Sequence, residues 1–341
     1  MGGWNRVGGT LATAAGLLMA YLAPAGAQTK VVVALPINSA AMAPMFYALD
    51  AGIFKRNGLD VELPILRGGP PTSAALLSGD AQFMTGAGYD FLRLVDSGKV
   101  ARVLNFVSAL TNEFVVSEKF IKARGIDLKA SPKQRLASLK GLRLGAVSLG
   151  GASESFGRWL LKFGGLDPDK EPQPLQIGGL PQLLGAMQAD GIDGFVISPP
   201  SGKMAARLGI GRTLVDYKEI PELDGYQFIG LDARPDWIAA NPATAEKVVR
   251  SVVEAQQAIV DRPIEVARRL KAGSMNQNDL QEIEDALTHM AQSYKPQPMS
   301  AQKWAHTQEL TRQSVGDGPM SSFKLVEDRD WTNKFYNAVT K

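Results

Sequence analysis

LRLGAVSLGGASESFGRWLLKF, residues 142–163, is the stretch whose reading decides the fold of this chain. Leu142, Leu144, Ala146 and Val147 make a short apolar run of the kind buried on both faces of a parallel sheet. Ser148-Leu149-Gly150-Gly151-Ala152-Ser153 is a small-residue loop. From Glu154 the pattern becomes amphipathic, with Phe156, Trp159, Leu160 and Phe163 on one helical face. A strand–loop–helix unit of this kind aims unpaired backbone N–H groups and the positive end of the helix dipole at the loop. Its glycines let a ligand approach that backbone closely. The stretch reads as an anion pocket. Every α/β turn shares these features, so the rest of the chain must decide between the two.

Outward from it, the same unit recurs. Upstream, residues 31–35 form an apolar strand, and Pro44, Met45, Phe46, Leu49 and Ile53 carry a helix that Gly58 closes. Residues 59–63 alternate as a second strand. The loop 67–72 leads to a helix at 73–77. A strand at 81–84, a loop at 85–88, a helix at 89–96 and a strand at 103–107 complete a βαβαβαβ series. That order implies a parallel sheet with right-handed crossovers and small-residue loops along one edge, where ligands bind. After a strand at 111–117 and a polar segment to 138, the quoted stretch opens a second series. It has strands at 175–177, 194–197, 213–215 and 226–231 and helices at 182–189 and 202–208. Residues 235–341 read as mostly helical, beginning with the Asn241-Pro242 cap of a long helix.

Composition fits an exported globular protein. The chain has 341 residues, 45% hydrophobic and 21% charged, with Lys+Arg 37 against Asp+Glu 34. That balance excludes a nucleic-acid footprint. Residues 1–27 read as a signal peptide: Arg6, an apolar run at 11–22 too short to span a bilayer, and Ala25-Gly26-Ala27, with cleavage expected after Ala27. There are no cysteines, which excludes disulfides, thiolate chemistry and a lipid-modified N-terminal cysteine. The expected location is the periplasm.

The ordered motifs resemble the substrate-binding proteins of ABC importers for sulfonates, taurine, nitrate and thiamine precursors, the NMT1/THI5-like family. They are Ala43-Pro44 with YALDAGIF (47–54) and GLDVE (58–62), Gly68-Gly69 with LLSGDA (76–81), LKGLRLG (139–145), and LGAMQADGIDG (184–194). The resemblance implies a two-lobed periplasmic-binding-protein fold of type II. It has parallel-type sheets flanked by helices, a hinge of two crossover strands and a helical C-terminal region. Lobe 1 would comprise residues 28–112 plus 228–341 and lobe 2 residues 113–227. The crossovers would be Glu113 to Val116 and Phe228 to Leu231. The implied role is capture of a small organic anion, sulfonate or carboxylate, by a monomer that delivers it to an ABC permease and ATPase complex. The alternatives are a thiamine-pyrimidine precursor binder or related biosynthetic enzyme, and the binding subunit of a sensor system.

The cleft loops supply the candidate ligand-binding residues. Asn38, Ser39, Ser148 and Ser153 are donors at helix starts, where N-capping alone also accounts for them. Arg67, with Gly68 and Gly69, could grip a sulfonate or carboxylate bidentately. Gly86, Ala87 and Tyr89 lie in the third βα loop, with Tyr89 able to pack on an apolar part. Gly151 and Ala152 belong to the opening loop, and Ser198 to the exit of the 194–197 strand. No metal or cofactor is expected. His289 and His306, the two histidines, lack metalloprotease spacing, and there is no G-x-S-x-G, P-loop lysine or complete dinucleotide fingerprint. A catalytic role is not expected.

Overall fold

The computed structural model describes residues 1–3, 28–315 and 324–340. The expected signal peptide, from residue 4 to residue 27, lies outside the described residues. The first series runs β1 (Thr29–Ala34), α1 (Ala43–Asp50), α2 (Ile53–Arg56), β2 (Leu59–Glu62), α3 (Gly69–Ser78), β3 (Phe83–Ala87), α4 (Gly88–Val95) and β4 (Ala101–Val107). The second runs β5 (Glu113–Ser117), α5 (Glu118–Arg124), α6 (Pro132–Ala137), β6 (Leu144–Ala146), α7 (Ala152–Phe163), β7 (Leu175–Gln176), α8 (Leu180–Gln188), β8 (Gly194–Ile197), α9 (Ser201–Arg207) and β9 (Gly211–Asp216). Then follow β10 (Ile229–Ala233), α10 (Pro235–Ala240), α11 (Pro242–Asp261), α12 (Pro263–Ala272), α13 (Leu280–Met290), α14 (Ala301–Val315) and α15 (Lys334–Val339).

Local chemistry explains where the boundaries depart from the sequence reading. Gly52, with φ 69°, splits the expected single helix into α1 and α2. Pro70 and Pro71 belong to α3 rather than to the loop before it, because a first helical turn needs no N–H from either. α7 begins at Ala152, so Ser153 lies inside the helix.

The strands form two five-stranded sheets, ordered β2-β1-β3-β10-β4 and β7-β6-β8-β5-β9. Strands joined by a helix are parallel, as expected: Val31 stands opposite Val61, and Leu144 opposite Gly194. Both sheets are nevertheless mixed, which corrects the expectation of parallel sheets. β10 runs antiparallel to β3 and β4, with Leu231 opposite Thr85 and Leu104. β5 runs antiparallel to β8 and β9, with Val115 opposite Phe195 and Phe114 opposite Val215. These two strands are where the chain passes from one sheet to the other. No crossover helix returns them to the end at which their neighbours start, so they enter reversed.

β3, β4, β5, β8 and β10 are buried along their whole length, as strands covered on both faces must be. α8 contributes Leu183, Leu184 and Met187 to the core around Phe195 and Ile197. α11 packs on α1, while α14 lies against α4 and α7. The hydroxyls of Ser155 and Ser314, 2.8 Å apart, tie α7 to α14. Among the described residues no helix is long and apolar enough to cross a membrane.

Candidate functional site

The small-residue loops of the two series and both crossovers meet at one cleft. Pro36, Ile37, Ser39, Ala41 and Met42 reach it after β1, Gly68 and Gly69 at the start of α3, and Ala87 with Asp90 at the start of α4. The second series brings Val147, Ser148, Ala152 and Ser153 around the start of α7, and Val196, Ile197 and Ser198 at the end of β8. Asn112, just before β5, and Phe228 and Ile229, entering β10, complete the wall.

Of the residues singled out from sequence, Ser39, Gly68, Gly69, Ala87, Ser148, Ala152, Ser153 and Ser198 line this cleft. Five others do not. Asn38 is exposed and donates from Nδ2 to the Ser274 carbonyl at 3.1 Å. Arg67 is exposed, on a left-handed backbone with φ 58°. Gly86 is buried within β3, its carbonyl taking an N–H from Arg102 at 2.9 Å. Tyr89 is buried under the Arg93 guanidinium, 5.9 Å from its ring centre, and burial raises its hydroxyl pKa. Gly151 sits behind Ser148: a Cβ there would come within 2.5 Å of Ser148 Oγ. The same hydroxyl closes on Gly68 from the other side, where a Cβ would also lie 2.5 Å away. Ser148 is thus wedged between two glycines from opposite sides of the cleft. The left-handed residue of this loop is Gly150, with φ 68°, whose carbonyl accepts a hydrogen bond from Arg93.

The loop before α7 satisfies its early amides internally. Val147 N donates to Ser153 Oγ at 2.9 Å, Leu149 N to Gln176 at 3.3 Å and Gly150 N to Glu154 at 2.7 Å. Glu154 therefore folds back onto its own loop instead of extending along the helix side. Among the described residues the amides of 151, 152, 153 and 154 have no acceptor. At α3 the two prolines remove most of the equivalent donors. Ser198 Oγ donates to Asn112 Oδ1 at 3.0 Å, joining the end of β8 to the crossover.

Sequence reasoning missed Asp90 and the pair behind it. Asp90 is buried on the cleft wall, and its Oδ2 accepts the Ala87 N–H at 3.2 Å. Burial pushes its carboxyl up to about 6, against the opposing pull of that N–H and of Arg93 and Arg102, while Asp232 adds to the rise. Arg102 and Asp232 are fully buried, with Nε–Oδ1 at 2.6 Å and Nη2–Oδ2 at 2.9 Å. Gly230 makes room for that guanidinium, since a Cβ there would lie 2.5 Å from Nε. The guanidinium braces the Gly86 and Ala87 carbonyls just before α4. The available signal was a charge inside each of two apolar strands, ARVLNFV and IGLDA. Asp90 had no such signal, because a first-turn aspartate reads as an ordinary helix cap. Among the described residues no group of three His, Cys, Asp or Glu could hold a metal.

Two mixed sheets with a cleft between them, crossed twice by the chain, are the periplasmic-binding-protein fold. The NMT1-like family model matches residues 27–271, and the chain belongs to that family. A curated relative, the nitrate/nitrite binding protein NrtA of Nostoc sp., is 26% identical over 241 residues, 65% of this chain and 52% of that protein. The chain thus spans about half the length of that relative. The solved periplasmic nitrate-binding protein NrtA of Synechocystis PCC 6803 superposes with a TM-score of 0.71 at 15% identity, over 92% of this chain and 88% of that one. The periplasmic aliphatic sulphonate binding protein SsuA of Escherichia coli does so with a TM-score of 0.64 at 17% identity, over 90% and 99%.

Proposed function

We propose that this chain is the periplasmic solute-binding component of an ABC importer, and that it captures a small organic anion of the sulfonate or carboxylate type. The observation that carries the reading is the start of α7. Unpaired amides at 151–154 stand beside Ser148, Ala152 and Ser153 on the cleft wall, and such a helix start binds anions without any cationic side chain. Relatives named for nitrate and sulphonate binding support the class of solute. Met42, Val147, Val196, Phe228 and Ile229 suit an apolar body. In this account the chain is a monomer with no catalytic step. Residues 28–112 with 228–341 form one lobe, residues 113–227 the other, and the pair closes over the solute by bending at β5 and β10. A permease and ATPase complex receives it.

One observation favours a second reading. Asp90 would suit the amino group of a neutral pyrimidine of the thiamine-precursor type. A thermal-shift screen of alkanesulfonates, taurine, aromatic acids, nitrate and pyrimidines tests both. A solute that binds only the folded state adds about 2.7 kcal/mol at ~100 times its dissociation constant. The first reading expects the rise from the organic anions. A rise confined to pyrimidines would replace it with the second.

A further inference from the structure

Asp90 is the one ionisable side chain on the cleft wall among the described residues; no arginine, lysine or histidine joins it. It is only 6% exposed. Among the described residues its Oδ2 takes the Ala87 N–H and its Oδ1 takes no hydrogen bond. Gly69 faces it without a side chain: a Cβ there would fall 2.2 Å from Oδ1, so the absence of one is what lets the carboxylate stand at the wall. Its position in the cleft is braced from behind by the buried Arg102–Asp232 pair, through the carbonyls of Gly86 and Ala87. Asp90 and the unpaired α7 amides belong to opposite series, with apolar Met42, Val196, Phe228 and Ile229 also on the wall. A buried carboxylate beside a plain anion is unfavourable, since neither charge can be left to water.

We propose that Asp90 is the specificity-determining acceptor of this cleft, selecting solutes that carry an ammonium or N–H donor at the end away from the anionic group and rejecting plain anions of the same length. The inference rests on the solute-binding reading of the same cleft. A charge-assisted hydrogen bond from such a donor satisfies Oδ1. A plain anion leaves it unpaired and repelled. The charged and titratable groups around Asp90 are Arg93 and the Tyr89 hydroxyl on its own helix, Arg102 on β4, Asp232 on β10 and the Tyr226 hydroxyl. Arg102 is committed to Asp232 and Arg93 to the Gly150 carbonyl, so neither neutralises Asp90 directly.

The test is calorimetric titration of two matched pairs, 3-aminopropanesulfonate against propanesulfonate and 4-aminobutyrate against butyrate, into the parent and into Asp90→Asn. At about pH 8 the parent should favour the amino member of a pair by about tenfold or more, the worth of one hydrogen bond to a charged group. Asp90→Asn, checked for folding by circular dichroism, should lose most of that preference. The parent itself should lose it at about pH 5, where Asp90 is protonated, which gives a readout independent of the variant. Equal or tighter binding of the plain anions by the parent, with the ratio unchanged in Asp90→Asn, would overturn the proposal and leave the solute-binding reading standing. Failure of all four compounds and of the wider screen to bind would overturn both.

Discussion

Asp90 carries a cost in the empty protein that can be measured. Folded, it holds its proton to about pH 6; unfolded, it loses it near 3.8. Between those values the unfolded state binds fewer protons, so stability falls as pH rises and then levels off. A shift of about two units corresponds to roughly 3 kcal/mol. Asp90→Asn should therefore flatten the urea midpoint between about pH 4 and 7 and raise it at neutral pH. A midpoint with the parent's pH dependence in that variant would rule this out. Residues were legible only where backbone chemistry announced them. The glycines and serines at helix starts were found because βα loops place them along one sheet edge. Where Arg67 points was not legible, because charge says nothing of direction: on its left-handed backbone it is exposed and off the wall. Tyr89 reads the same from sequence whether it faces a cleft or lies buried beneath a guanidinium.

The element that decided the reading, α7, has a glycine in its middle. Gly157 brings the helix so close to β6 that a Cβ would sit 2.6 Å from Leu144 Cδ2. Gly157→Val should overpack this contact and cost about 1–3 kcal/mol, seen as a lower thermal midpoint. An unchanged midpoint would mean that the helix has room to shift. The strand–loop–helix order of both series was legible from hydrophobic period and small-residue loops. The reversal of β5 and β10 was not, because their apolar runs look alike in either direction and orientation follows from where the chain has come from. Nor was the docking of α14 on α7. Ser155 and Ser314 meet across 159 positions of sequence, and Trp159 donates to Gln313 at 3.3 Å, contacts that no local pattern encodes.

For the molecule as a whole, the proposed bending at β5 and β10 predicts compaction when solute binds. Small-angle scattering should show a smaller radius of gyration at saturation, and an unchanged radius would remove the closing motion from the account. The two-sheet plan was legible because motif order outlasts divergence in side chains. The chemistry of the cleft was less so, because a pocket is built from residues that meet only after folding. Ser148, wedged between Gly68 and Gly151, adds a consequence of its own. The two walls meet there with no slack, atom against glycine, so under the proposed closure a passenger must fit wholly within before they can touch. A molecule too long by a methylene or two would hold the jaws ajar however tightly one end was gripped. Admission would then be decided by length at this contact, separately from the strength of the grip at either end, and a bulkier residue at 68 or 151 would act as a doorstop.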